Sequence, residues 1–269
     1  VSIKATRRSS GLLVSEARND LAWWFPKIER AGLPVPRTEI VQTDLDLSLL
    51  LDGKLPGHGD AFTDFLADLL AAADQVRHGH DPFFLRTGHG SAKHEWRETC
   101  YVQGGHIGDH VMRLVEWSHM VDVMGLPHST WAVRALIPTR TLFTVEEWRG
   151  FPVTREFRVF ASGLGPDEPE PTCTFHPYWP ESAFPALDDV QRAQVQAMGK
   201  LTWEESEVLT MLAARATYAV GGGYWSIDFL EDVDGKFWLT DMADGERSFK
   251  NPVEAVPVVH GRSFKPFNG

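Results

Sequence analysis

Apolar positions along this chain switch repeatedly between a helical and a strand period. Residues 15–31 carry Ala17, Leu21, Trp24, Phe25 and Ile28 on one helical face, with Ser15 as the expected cap and Gly32 as the stop. Pro34 and Pro36 then keep the backbone extended into a strand, TEIV at 38–41. After a break from Gly57 to Asp60, a second helix is predicted over 60–77, its stripe formed by Phe62, Phe65, Leu66, Leu69, Ala73 and Val76. FFLRT at 83–87 reads as a strand running into the loop GHGSAKHEW at 88–96, and residues 99–103 as the returning strand. A helix over 108–124 places Val111, Leu114, Val115 and Val121 on one side, ends at Gly125-Leu126-Pro127, and is followed by a strand at 131–137, WAVRALI.

The second half is richer in strands. In 154–162, Phe157, Val159 and Ala161 oppose Glu156, Arg158 and Phe160. A loop rich in proline and acids, 165–171, leads to a strand at 172–175 and the aromatic loop HPYWP at 176–180. Asp188 opens a short helix. Thr202 and Glu205 form a capping box for a longer one with Val208, Leu209, Leu212 and Ala216 on its core face, ended by Gly221-Gly222-Gly223. The stretch 224–246 reads as two strands: Trp225, Ile227 and Phe229 alternate with Ser226, Asp228 and Leu230, and Phe237, Leu239 and Asp241 with Trp238, Thr240 and Met242. Asp234-Gly235 between them predicts a type I′ hairpin turn. The pattern as a whole is α+β, each half built of strands with helices on one side.

Composition narrows the partners. The 269 residues carry a formal charge of −11, which argues against a broad basic face for duplex nucleic acid but leaves room for a local basic groove. Two cysteines, Cys100 and Cys173, make neither a disulfide framework nor a cysteine zinc site. The stretch VSIKATRRSS has no apolar signal core and no apolar run approaches transmembrane length, so a cytoplasmic location is expected.

Candidate chemistry sits in three places. Asp228 and Asp241 are closely flanked by apolar residues, and buried carboxylates need a partner or a cation. Paired acids on adjacent strands suit Mg²⁺, a hard ion that shares its oxygen ligands with phosphate; the competing reading is an edge hairpin whose acids cap turns or meet arginines. Arg86 and Lys93 surround two glycines in a loop without Walker spacing, suited either to a phosphate or to solvent. Glu156 and Arg158 share a face of an otherwise apolar strand, as a structural ion pair or as the floor of a polar site. Nine of eleven histidines fall between His58 and His128, His106 and His110 at helical spacing, but no HExxH accompanies them. No GxSxG elbow is present, and neither cysteine has a nucleophile's neighbourhood.

In order and spacing, AGLPVPRTEIV, FFLRTGHGSAKHEW, WAVRALIP, TREFRVFASG and YWSIDFLEDVDGKFWLTDMADGE resemble an ATP-grasp domain, similar to the small ATP-grasp domains of phages and bacteria. The resemblance spans about residues 15–250. It implies a two-lobed fold of antiparallel sheets with helices on one side of each. Residues 1–14 would be an extension, 15–133 the N-terminal lobe, and 134–269 the C-terminal lobe with the metal-binding strands. It also implies ATP and Mg²⁺ as cofactors. The expected reaction is ligation of a carboxylate, activated as an acyl phosphate, to an amine or other nucleophile, with release of ADP. By resemblance, Arg86 and Lys93 hold phosphates, and the connector Arg134-Ala135-Leu136-Ile137-Pro138 reads adenine through its backbone. Glu156 belongs to the cofactor-binding set, Arg158 is an active-site arginine alongside Lys93, and Asp228, Asp241 and Asp244 are metal ligands. The chain departs from the family pattern where Asp241 stands for the usual Glu, Ala243 for a common Asn, and Ala135 for a common acid. Those departures keep open a nucleotide-binding module of assembly or regulation with little or no ligase activity.

Overall fold

A computed structural model describes residues 17–104, 106–121, 126–163 and 172–250. Two four-stranded antiparallel sheets dominate it. The first has the order β1-β4-β2-β3, from β1 (Thr38–Gln42), β2 (Phe83–Thr87), β3 (Tyr101–Val102) and β4 (Thr130–Ala135). The second has the order β10-β9-β7-β8, from β7 (Glu156–Ser162), β8 (Thr172–Pro177), β9 (Trp225–Glu231) and β10 (Phe237–Asp244). A small hairpin of β5 (Phe143–Val145) and β6 (Phe151–Val153) follows the first sheet. The helices are α1 (Leu21–Arg30), α2 (Ala61–Val76), α3 (Ile107–Val121), α4 (Asp189–Met198) and α5 (Trp203–Ala219).

Each sheet is covered on one face. Phe65, Leu69, Ala73 and Val76 of α2 pack with Val111, Leu114 and Val115 of α3 over Phe83, Leu85, Trp131 and Val133 of the first sheet. Leu209, Leu212, Ala213 and Ala216 of α5 cover Phe157, Val159, Ile227 and Phe229 of the second. Each large side chain buried in this way contributes roughly 1.5–3 kcal/mol. Helix α1 joins the second core through Leu21, Trp24, Phe25 and Ile28. The expected capping box of Thr202 with Glu205 opens α5, and Asp188, which opens α4 as expected, forms a second one with Gln191.

Several local expectations change. Ser15 lies outside the described residues; Asp20 caps α1 instead, accepting from the Ala22 amide at 2.8 Å, and Ala17, ahead of that cap, is exposed. Val208 is 42% exposed and Val121 48%, because the helical stripes turn Leu209 and Val115 inward and carry these neighbours past the core edge. Strand β4 ends at Ala135, so Leu136 and Ile137 belong to the connector that follows. The 165–171 loop and residues 122–125 of the helix end lie outside the described residues.

The hairpin between β9 and β10 differs in its turn. Gly235 has a φ of 82°, but Asp234 does not share the left-handed conformation a type I′ turn needs. Asp232 does the work instead: its Oδ1 accepts from the amides of Asp234 and Lys236 at 2.9 Å each, and its Oδ2 from Trp238 Nε1 at 2.7 Å. A second departure decides the site. Leu239 pairs with Phe229, but the next pair is Asp241 with Asp228, so Thr240 is an extra residue in β10. This bulge puts Phe237, Leu239 and Met242 in the core and turns Asp241 to the side of Asp228. Strict alternation had left Asp241 on the Phe237–Leu239 side.

Candidate functional site

Between the uncovered sides of the two sheets runs a cleft of about 650 Å³. Arg86 of β2 and Arg134 of β4 line one wall, with Leu136 and Ile137 of the connector; Glu156 of β7 and Asp241 of β10 line the other, and Lys93 and Tyr178 border it. Arg158 and Asp228 stand beside this space in the same charge network.

Lys93 is placed by its predecessor. Ala92 takes a left-handed φ of 50°, and Thr99 Oγ1 donates to its carbonyl at 2.9 Å. From there Lys93 Nζ reaches Glu156 Oε1 at 2.8 Å and lies 4.5 Å from the centre of the Tyr178 ring. Burial alone would discharge the ammonium, but Glu156, Tyr178 and Asp228 outweigh it and hold Lys93 above its ordinary range. Burial pushes Glu156 up; Lys93 pulls it back, Asp228 pushes it up again, and the carboxyl ends above its usual range. Burial also pushes the Tyr178 hydroxyl up to about 12.

Arg158 faces Asp228 across the β7–β9 ladder and grips it with a two-pronged fork, Nε to Oδ1 at 2.8 Å and Nη2 to Oδ2 at 2.9 Å. Burial works against the guanidinium's charge, but Asp228 raises its proton affinity well above the ordinary value. Arg86 Nη1 meets Asp241 Oδ1 at 3.1 Å, and its Nε donates to the Thr87 carbonyl at 3.0 Å. Arg134 is buried beside it, donating through Nε to Thr38 Oγ1 at 3.0 Å and through Nη1 to the Thr240 carbonyl at 2.6 Å. Arg155, one residue before β7, plays a different part: it braces α5 and β9 through Glu205 and Glu231.

The three acids expected as metal ligands are each engaged by groups of the protein. Both oxygens of Asp228 accept from Arg158, and Asp241 Oδ1 accepts from Arg86 and from the Met242 amide. Asp244 pairs with Trp225 at the far end of β10; its Oδ1 takes the Glu246 amide and its own amide donates to Asn19. Among the described residues no group of three His, Cys, Asp or Glu side chains is placed to hold a metal. That covers the histidines also: His110 borders the cleft with Nδ1 2.9 Å from the Thr99 carbonyl oxygen, and His106 does not join it in a ligand group. Cys100 and Cys173 are buried, and burial pushes their thiols up to about 12 and about 11. Neither is a thiolate at neutral pH.

The glycine loop is closely packed rather than solvated. Gly88 and Gly90 are buried, and a Cβ on Gly88 would lie 2.5 Å from Asp20 Oδ1, one on Gly90 2.4 Å from the Trp117 ring. Gly88 donates to the Thr130 carbonyl and Gly90 to Thr87 Oγ1. These glycines permit close packing. Two contributors were invisible in the pattern. Tyr178 sits in the aromatic loop HPYWP without a periodic signal, and Thr240 acts through a backbone carbonyl that only the bulge exposes.

No known family model matches the chain, and no curated protein matches it. Solved structures do. The D-alanine–D-alanine ligase from Coxiella burnetii is 12% identical with a TM-score of 0.44, over 86% of this chain and 49% of that one. The VanG D-Ala:D-Ser ligase from Enterococcus faecalis is 12% identical with a TM-score of 0.45, over 84% and 52%. The RimK domain ATP-grasp protein from Sphaerobacter thermophilus is 15% identical with a TM-score of 0.43, over 86% and 60%. This chain spans 49% to 60% of the length of those three. Among the described residues no helix is long and apolar enough to cross a membrane.

Proposed function

We propose that the cleft binds ATP and that the chain is an ATP-grasp-type ligase module. In this reading a carboxylate oxygen takes the γ-phosphoryl group, ADP leaves, and an amine or other nucleophile displaces phosphate from the acyl phosphate. The observation that carries the reading is the cation-lined cleft between two antiparallel sheets, with Lys93 and Arg86 on one side and a charged floor strand on the other. Phosphoryl transfer asks a protein chiefly for positioning and charge neutralisation, which fixed cations in a partly desolvated cleft supply. Lys93, held charged by Glu156, suits the phosphates; Leu136 and Ile137 offer an apolar edge and backbone groups to a base. Mg²⁺ would be held by Asp228 and Asp241 beside the phosphates, in exchange for their present bonds to Arg158 and Arg86.

The test is ADP release. The full chain is incubated with ATP and mixed carboxylate and amine acceptors, with and without Mg²⁺, and the products are separated. ADP and phosphate are expected; AMP and pyrophosphate would replace the acyl-phosphate route with an adenylating one. A second reading, a nucleotide-binding module without ligase activity, is favoured by the closed Arg158–Asp228 and Arg86–Asp241 pairs. It predicts ATP binding with no turnover under any of these conditions.

A further inference from the structure

Arg134 is 3% exposed, as is Arg86 beside it. Their strands are hydrogen-bonded neighbours, Phe84 opposite Arg134 and Arg86 opposite Ala132. Among the described residues these two guanidiniums have one carboxylate between them, Asp241, and it bonds Arg86. Arg134, among the described residues, has only neutral acceptors, Thr38 Oγ1 and the Thr240 carbonyl, and its Nη2 is buried with no hydrogen-bond partner. A buried, incompletely paired guanidinium is costly, and the cost is recovered when an anion arrives. Burial, with Arg86 adding repulsion, pushes Arg134 down to about 9. The cleft lining as a whole carries four Lys or Arg (Arg86, Lys93, Arg97, Arg134) against two acids (Glu156, Asp241). The excess is local, since the chain has 26 Lys and Arg against 37 Asp and Glu.

We propose that Arg134, with Arg86, forms an oxyanion subsite in the first-sheet wall of the cleft, taking a phosphate or carboxylate group of a ligand. The Nη2 of Arg134 completes its bonding on that group, and the Thr240 carbonyl holds the fork in place from the opposite sheet. The two sheets are thus joined at the point where the anion sits. This assignment concerns the side chain of Arg134, not the connector backbone, and it stands whether or not the base of a nucleotide is recognised.

The experiment titrates the full chain calorimetrically with three probes: inorganic tripolyphosphate, which has no base; citrate, which offers carboxylates only; and adenosine, which has no phosphate. Wild type is compared with Arg134→Met, which removes the charge at similar length, and Arg134→Lys, which keeps the charge and loses the fork. Charge-assisted hydrogen bonds of this kind set an expected loss of about 10- to 100-fold in anion affinity for Arg134→Met. Adenosine should bind both proteins alike, and Arg134→Lys should recover part of the loss. A loss confined to tripolyphosphate assigns the subsite to phosphate, and one confined to citrate assigns it to a carboxylate. Unchanged affinity for both anions overturns the proposal. So does an equal loss for all three probes with a lowered melting temperature, which would mark Arg134 as a strut between the sheets. Failure of the ATP reading would look different: wild type would bind tripolyphosphate, lose it in Arg134→Met, and show no binding of adenosine.

Discussion

Asp228 and Asp241 stand directly across from each other on β9 and β10, yet each is held by a different arginine: Asp228 by Arg158 on its own sheet, Asp241 by Arg86 from the other. The second pair therefore crosses the cleft. Closed pairing of this kind makes the acids part of the fold's charge balance.

Breaking the first pair tests that statement. Asp228→Asn leaves Arg158 without its counter-charge, and Arg158→Met leaves Asp228, 4% exposed, unpaired. Each should cost about 3 kcal/mol in urea unfolding, and the double variant should recover much of it. Single variants as stable as the parent would mean the two acids repel in the empty cleft and await a cation.

Gly90 gives a test of the packed loop. Gly90→Ala drives a methyl group to within 2.4 Å of the Trp117 ring, whose rigid bicycle has to shift. The expected cost is about 1–3 kcal/mol. An unchanged melting temperature would show that the loop yields to the added methyl group and is not closely packed.

Asp20 ties pH to stability. Burial pushes its carboxyl up, but His89, the Ala22 amide and Thr130 outweigh burial and hold it below the ordinary value. A depressed carboxyl adds stability above its unfolded value near 4 and loses it as pH falls through the lower folded value. Asp20→Asn keeps the cap and removes the charge, so its deficit against wild type should be present at pH 7 and shrink as pH falls below about 4 through the lower folded value. Asp20→Ala also loses the cap, about 1 kcal/mol more at either pH. Parallel melting curves for wild type and Asp20→Asn across that range would refute the linkage.

Much of this was legible in the chain. Helical stripes such as Phe65–Leu69–Ala73–Val76 and the alternation of 156–162 gave elements whose buried faces match the two cores, because periodicity and burial are the same constraint. The Thr202–Glu205 capping box could be read from side-chain spacing alone, and Asp188 as a helix start; its box with Gln191 was added by the structure. What escaped was set by single-residue events. The extra residue at Thr240 reverses the face of Asp241, and no local preference in LTDM announces it. The turn at 232–236 depends on Asp232, an acid that looks like surface charge until its three donors are seen. The role of Gly88 and Gly90 rests on Asp20 and Trp117, neighbours in space that lie far off along the chain. Arg86, Lys93, Glu156, Arg158, Asp228 and Asp241 were picked out by residue type, and the structure gathers them; which acid answers which cation was not readable, since that depends on sheet order.

In the proposed function the cleft holds ATP through fixed cations, Lys93 foremost. The most direct measurement is calorimetric titration of ATP and of adenosine into wild type and Lys93→Met. Wild type should prefer ATP, and at a hundred times the dissociation constant ATP should stabilise the fold by about 2.7 kcal/mol. Lys93→Met should weaken ATP by about 10- to 100-fold and leave adenosine unchanged, because the lost contact reaches only phosphate. Equal affinity of wild type for ATP and adenosine, or no binding of either at millimolar concentration, would contradict the account.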